Sequence, residues 1–170
     1  MSTKRMSRIA ILSALAIVLR FAFGAFPNVK PITAIFLVSL LYFPLADSLL
    51  IMALTMIGSG IYFGFSIVVL WQIVSFGLMM LAWRFLVLPL TEELSWATIL
   101  QSILAGLMAF AYGFLISIPT SIQFGANLWI YWLNGLMFDA LHAASTFIFY
   151  PFIYQLFRRI YREKNVFFSS

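Results

Sequence analysis

The chain contains no cysteine. That excludes disulfides, thiolate metal sites and cysteine nucleophiles. Charge is scarce as well: only 9% of the 170 residues are Asp, Glu, Lys or Arg, and five of these are acidic. No Gly-x-x-x-x-Gly-Lys-Ser/Thr phosphate loop occurs, so no motif makes the chain its own ATPase. A Gly-x-Ser-x-Gly elbow and a His-Glu-x-x-His pair are also missing. The carboxylates Asp47, Glu92, Glu93 and Glu163 fall at predicted helix ends or tails, so they form no pair inside a membrane. The single histidine, His142, and Asp139 are too few ligands for a metal site. No catalytic residue, metal site or bound cofactor is assigned, and an enzyme reading has little support.

What the chain has in excess is apolar surface, with 64% hydrophobic residues. A bilayer core about 30 Å thick takes about 20 apolar residues per helix. The expectation is an all-α integral membrane protein, a compact bundle of six transmembrane helices in one domain, 1–170. Its helices are predicted at about 7–25, 32–43, 46–62, 66–88, 96–118 and 128–161. The N-terminal run imitates a secretory signal, but it is no more apolar than those behind it and reads as a first helix.

The net charge of +5 invites a nucleic-acid reading, and its placement argues against one. Lys4, Arg5 and Arg8 precede the first apolar run, and Arg158, Arg159, Arg162 and Lys164 follow the last. Basic residues flanking spans mark the cytoplasmic side. Both termini are therefore expected in the cytoplasm, with an even number of crossings. The chain breaks are expected at Phe26–Pro31, at Phe43–Asp47, at a turn loosened by Gly58-Ser59-Gly60 and Gly64, and at Pro119 with a polar loop over 120–127.

Polar residues inside a membrane are costly and mark candidate sites. Asp139 and His142 lie three apart on one predicted helix face. They form either a proton relay or a mutual hydrogen bond that ties helices together. Asn134 stands on a neighbouring stripe. Gln72 beside Trp71 is either a ligand contact or a helix-to-helix bond. Arg20 either snorkels to the headgroups or faces a ligand, and Lys30 occupies the first outside loop. Gln123, Asn127, Trp129, Tyr131 and Trp132 sit near the outer end of the last helix. A belt accounts for the aromatics, and the amides beside them leave a binding mouth open. Small residues at Ala10 and Ala14, and at Ala105, Ala109 and Gly113, allow close helix approach, either within the bundle or to another subunit.

Ala10-x-x-x-Ala14 early in the first helix, and the loop Pro27-Asn28-Val29-Lys30-Pro31-Ile32-Thr33-Ala34, resemble the substrate-binding S-components of energy-coupling-factor transporters. The loop is similar to that of the cobalamin branch, although the turn Ile61–Phe65 lacks a polar glycine-rich run. The resemblance covers essentially the whole chain. It implies a vitamin-binding subunit of a multi-pass bacterial plasma-membrane importer, with cobalamin (vitamin B12) as the expected substrate. It implies as partners a membrane coupling subunit and two cytoplasmic ATPases, no nucleic acid, and docking through Ala10 and Ala14. The pocket would lie near the outer face, with Arg20, Asn28, Lys30, Trp71, Gln72, Gln123, Asn127, Trp129, Trp132 and Asn134 as its candidate residues. The few charges of that half favour a large, amide-rich, weakly charged ligand over a dianion. The alternatives are an S-component for another vitamin and a stand-alone proton-coupled carrier using Asp139 and His142.

Overall fold

The computed structural model describes residues 2–91 and 93–161. The expectations placed on Glu92, Arg162, Glu163 and Lys164 lie outside the described residues. Six helices account for most of the rest: α1 (Thr3–Ala22), α2 (Ile32–Tyr42), α3 (Leu45–Phe63), α4 (Ile67–Thr91), α5 (Ala97–Gln123) and α6 (Leu128–Ile160). No strand occurs among the described residues. Helices α3 to α6 are long and apolar enough to cross a membrane, the mark of a helical membrane protein.

The short helix α2 is the centre of the bundle. Its 11 residues rise only about 16 Å, roughly half a bilayer core. Every residue from Pro31 to Leu40 is buried, and α2 packs against all five other helices. A helix apolar on every side must be covered all round, and here protein does the covering. Its end is set by Pro44, which drives Phe43 out of the helical region to an extended ψ of 154°.

Helix α1 is two-faced. Ile9, Leu12, Ser13 and Ala16 are buried, at the spacing of one inward stripe. Ala10, Ile11, Ala14, Leu15 and Val18 are exposed. The helix starts four residues before the expected position because Ser2 serves as N-cap, and it ends at Ala22 rather than residue 25.

Two expected breaks are not breaks. Pro119 lies inside α5, which runs on to Gln123, so the turn before α6 is limited to 124–127. Proline removes one backbone donor, but hydroxyls bond to the carbonyls on either side. Ser117 Oγ donates to Gly113 O at 2.7 Å, Thr120 Oγ1 donates to Ile116 O, and Ser121 Oγ donates to Ile118 O at 3.0 Å. These bonds surround Leu115 O, the carbonyl whose helical donor Pro119 removes, and reinforce the turns beside it. Gly58-Ser59-Gly60 is likewise helical, and only Gly64, with φ of +99°, makes the turn. A Cβ on Gly58 would stand 2.5 Å from Ile17 Cδ1, so that glycine brings α1 and α3 together.

Lipid tails supply no hydrophobic drive between helices, so close packing and polar ties must hold them. Small residues line the α5–α6 seam: Ala105, Gly106, Ala109 and Gly113 are buried. A Cβ on Gly106 would come within 3.1 Å of Ala143 O. Where α4 passes through a π turn at Trp83–Val87, the Trp83 ring meets that of Tyr150 at 5.6 Å. Tyr150 Oη donates to Gln101 Oε1 at 3.0 Å, and Gln101 Nε2 donates to Thr91 Oγ1 at 2.9 Å. One chain of contacts thus joins α4, α5 and α6.

Candidate functional site

Lys4, Arg5, Arg8, Arg84, Arg158 and Arg159 gather where α1 and α3 begin and α4 and α6 finish. At this basic end Asp47, only 1% exposed, is held by two arginines from α1. Arg5 donates to its Oδ1 through Nε at 2.7 Å and through Nη2, and Arg8 Nη2 donates to Oδ2 at 2.8 Å. The Arg8 guanidinium also lies 4.2 Å from the Phe43 ring centroid. Asp47 was expected only as a helix-end carboxylate. In fact it is the accepting centre of the ion pairs formed by the described residues. The signal was in the sequence: in an alternating bundle, residues 5, 8 and 47 all fall at the same end.

The opposite end carries the candidate binding site. Arg20 does not snorkel outward. It turns into the bundle, where Nη1 donates to Ser59 Oγ and reaches Met56 Sδ at 3.3 Å, and Nη2 donates to Gln72 Oε1 at 3.2 Å. Those partners are all neutral. Its Nε is buried and has no partner among the described residues. Ser59 and Gln72 sit on α3 and α4, so one guanidinium ties three helices.

The loop between α1 and α2 brings a second cation to this place. Asn28 adopts a left-handed conformation, φ +57°, which asparagine tolerates better than most residues. Its Nδ2 donates to Phe138 O at 3.0 Å, and Ser145 Oγ donates to Asn28 O at 3.4 Å. The loop is thereby pinned to α6. Lys30 is carried over the Phe63 ring, 5.7 Å from its centroid, and the Arg20 guanidinium lies 5.5 Å from the same centroid. Burial first, and the Arg20 charge second, hold the Lys30 ammonium below its usual range.

A row of rings joins α2, α4, α5 and α6. Phe36 and Phe76 meet edge to face at 5.4 Å, Phe76 stacks on Tyr112 at 4.2 Å, and Tyr112 meets His142 edge-on at 5.4 Å. No family model, characterised protein or solved structure matches the chain.

Asp139 and His142 are both buried, but they do not bond to each other. Asp139 Oδ2 accepts from Trp132 Nε1 at 3.1 Å, one face of α6 to itself. His142 Nε2 shares a 2.7 Å hydrogen bond with Thr33 Oγ1 on α2. Its Nδ1 is buried without a partner among the described residues. The expected mutual bond is therefore replaced by two separate ties. Asp139 leans back along α6, as helical side chains do, and His142 faces the central helix. The carboxyl group fits only because residue 113 is glycine: a Cβ there would lie 2.0 Å from Asp139 Cγ and Oδ1.

Other expected residues have their own partners. Trp71 Nε1 donates to Gln123 Oε1 at 3.1 Å, linking α4 to α5. Asn127 caps α6, its Oδ1 accepting from the backbone N–H of Trp129 at 3.0 Å and of Ile130 at 3.2 Å. Trp129 and Trp132 both pack on Phe114. Asn134 is exposed. Sequence reasoning missed Ser59, Phe63, Thr33 and Tyr112. Nothing in their local sequence marks them, and only the packing of α2, α3 and α5 brings them to the site. A shallow groove on α5 and α6, between Ile99, Phe147 and Phe152, is lined mainly by apolar side chains and carries no charge.

Proposed function

We propose that this chain is the substrate-binding membrane subunit of an ATP-driven vitamin importer of the energy-coupling-factor type. The observation that carries the reading is the division of labour along α1. Near one end Arg20 enters a polar cluster beside the Phe63 ring. Nearer the other, Ala10 and Ala14 lie exposed among Ile11, Leu15 and Val18. Small residues in an apolar exposed strip permit close approach by a partner helix. In this reading the strip docks on a membrane coupling subunit driven by two cytoplasmic ATPases. All six helices cross or enter a bacterial plasma membrane, with both termini and the basic end in the cytoplasm. The Arg20 end faces outward, collects the ligand, and the subunit tips to release it inward. Cobalamin is the first ligand to test.

The test is uptake of labelled cobalamin by cells lacking their own importer, expressing this chain with or without an energy-coupling module. Uptake is expected only with the module. Ala10→Trp and Ala14→Trp are expected to keep ligand binding and abolish uptake. Uptake by the chain alone, or unimpaired uptake by both variants, would refute the reading. The independent-carrier alternative is weakened because Asp139 and His142 bond to different partners.

A further inference from the structure

Within a membrane-embedded bundle, a charge needs a counter-charge or a strong reason to stay without one. Asp47 satisfies that rule at the basic end. Arg20 and Lys30 do not. Among the described residues neither forms an ion pair, and the hydrogen-bond partners of Arg20 are a hydroxyl, a thioether and an amide oxygen. The two cations flank a single ring, that of Phe63. Asp139 on α6 is engaged by Trp132. Both residues are partly exposed.

We infer that Arg20 and Lys30 form an anion subsite, which takes one carboxylate or phosphate-type group of the transported molecule while the rest lies against the Phe63 ring. Two unpaired cations on one apolar ring are stabilised when an oxyanion arrives. Arg20 offers charge-assisted N–H donors at fixed geometry, and Lys30 offers a mobile ammonium. The sequence separates residues 20 and 30, and the pinned loop brings both to one ring. The inference rests on the import reading for the identity of its ligand class. A phosphodiester within a large, mostly amide molecule and a free carboxylate on a small vitamin share the required chemistry.

The experiment uses the full chain in lipid nanodiscs and matched ligand pairs that differ at the acidic group. Cobinamide phosphate and cobinamide, which differ by the phosphate group alone, report on the first source. Nicotinate and nicotinamide, pantothenate and pantothenol, and biotin and biotin amide report on the second. The expected result is binding of an anionic member, with its neutral counterpart weaker by about tenfold or more. Lys30→Gln should reduce affinity for the anionic member by a similar factor and leave a neutral counterpart unchanged. Arg20→Lys should weaken it less than Arg20→Gln, and Lys4→Gln at the basic end should change nothing. Equal binding of both members of a pair, or binding only by a neutral ligand, would overturn the inference and leave the import reading intact. Charge-selective binding without module-dependent uptake would do the reverse. No binding by any pair would overturn both.

Discussion

Gly113→Ala is the most exacting probe of the outer half of the bundle. The added Cβ would sit 2.0–2.1 Å from all three terminal atoms of Asp139, far inside contact distance. Gly113 and Asp139 are both buried, on α5 and α6, so the helices cannot part without opening the seam at Gly106 and Ala143. Overpacking of this kind costs about 1–3 kcal/mol. If Asp139 rotates away instead, it leaves the Trp132 indole, a hydrogen bond to a buried group worth about 1 kcal/mol or more. Alanine returns up to about 1 kcal/mol through its better helix propensity. With that gain subtracted, the net expectation is a loss of about 1–2 kcal/mol. Thermal unfolding in detergent, followed by tryptophan fluorescence, measures it and also reads the environment of Trp132. Gly135→Ala is the matched control, because its Cβ would meet nothing within 4 Å. Asp139→Ala should remove most of the Gly113→Ala penalty in a double-mutant cycle. A Gly113→Ala protein as stable as the wild type, or a penalty unchanged without the Asp139 carboxyl group, would refute the packing argument.

Two other perturbations test separate ties. Thr33→Val keeps the shape of the side chain but strands His142 Nε2, whose neighbouring Nδ1 already lacks a partner among the described residues; a stability loss of about 1–3 kcal/mol is expected in the same unfolding assay, and a neutral result would show that water or another group serves the ring. Asp47→Asn should loosen the start of α1, read as faster proteolysis and amide exchange over residues 3–12, with exchange at the Arg20 end unchanged; uniform exchange along α1 would show that the Arg5 and Arg8 pairs do not anchor it.

The architecture was legible because it depends on composition and punctuation. The unbroken apolar run that begins at Ile32 reads as a short helix, and Pro44 ends it as the rules for proline require. The rules failed where the membrane changes their balance. Pro119 stops a helix in water more readily than here, where neighbouring hydroxyls bond to carbonyls of the last turns. Gly58 and Gly60 look like turn formers, yet serve packing. The candidate site was half legible. Arg20, Lys30, Asp139 and His142 stood out as polar groups in apolar surroundings, but helix spacing cannot say which neighbour each will bond. Spacing paired Asp139 with His142, whereas the tertiary structure gives one to Trp132 and the other to Thr33.

The ties along α1 also bear on how docking could be felt at the ligand end. Arg5 and Arg8 fasten α1 to Asp47 at the start of α3. Ser13 Oγ donates to Ile51 O at 3.5 Å midway, Gly58 admits Ile17 further on, and Arg20 reaches Ser59 near the end. Four attachments spread over most of a 20-residue helix leave it no freedom to slide alone. Ala10 and Arg20 are ten residues apart, about 15 Å along one rigid axis. A partner that grips the exposed Ala10–Ala14 strip therefore grips the α1–α3 pair, and any rotation it imposes moves Arg20, Ser59 and Phe63 as a unit. Gln72 on α4 and Lys30 on its loop are the members of that cluster that lie outside the α1–α3 pair. Lys30 depends instead on the Asn28–Phe138 tether to α6, so the two cations reach one ring from separately anchored elements.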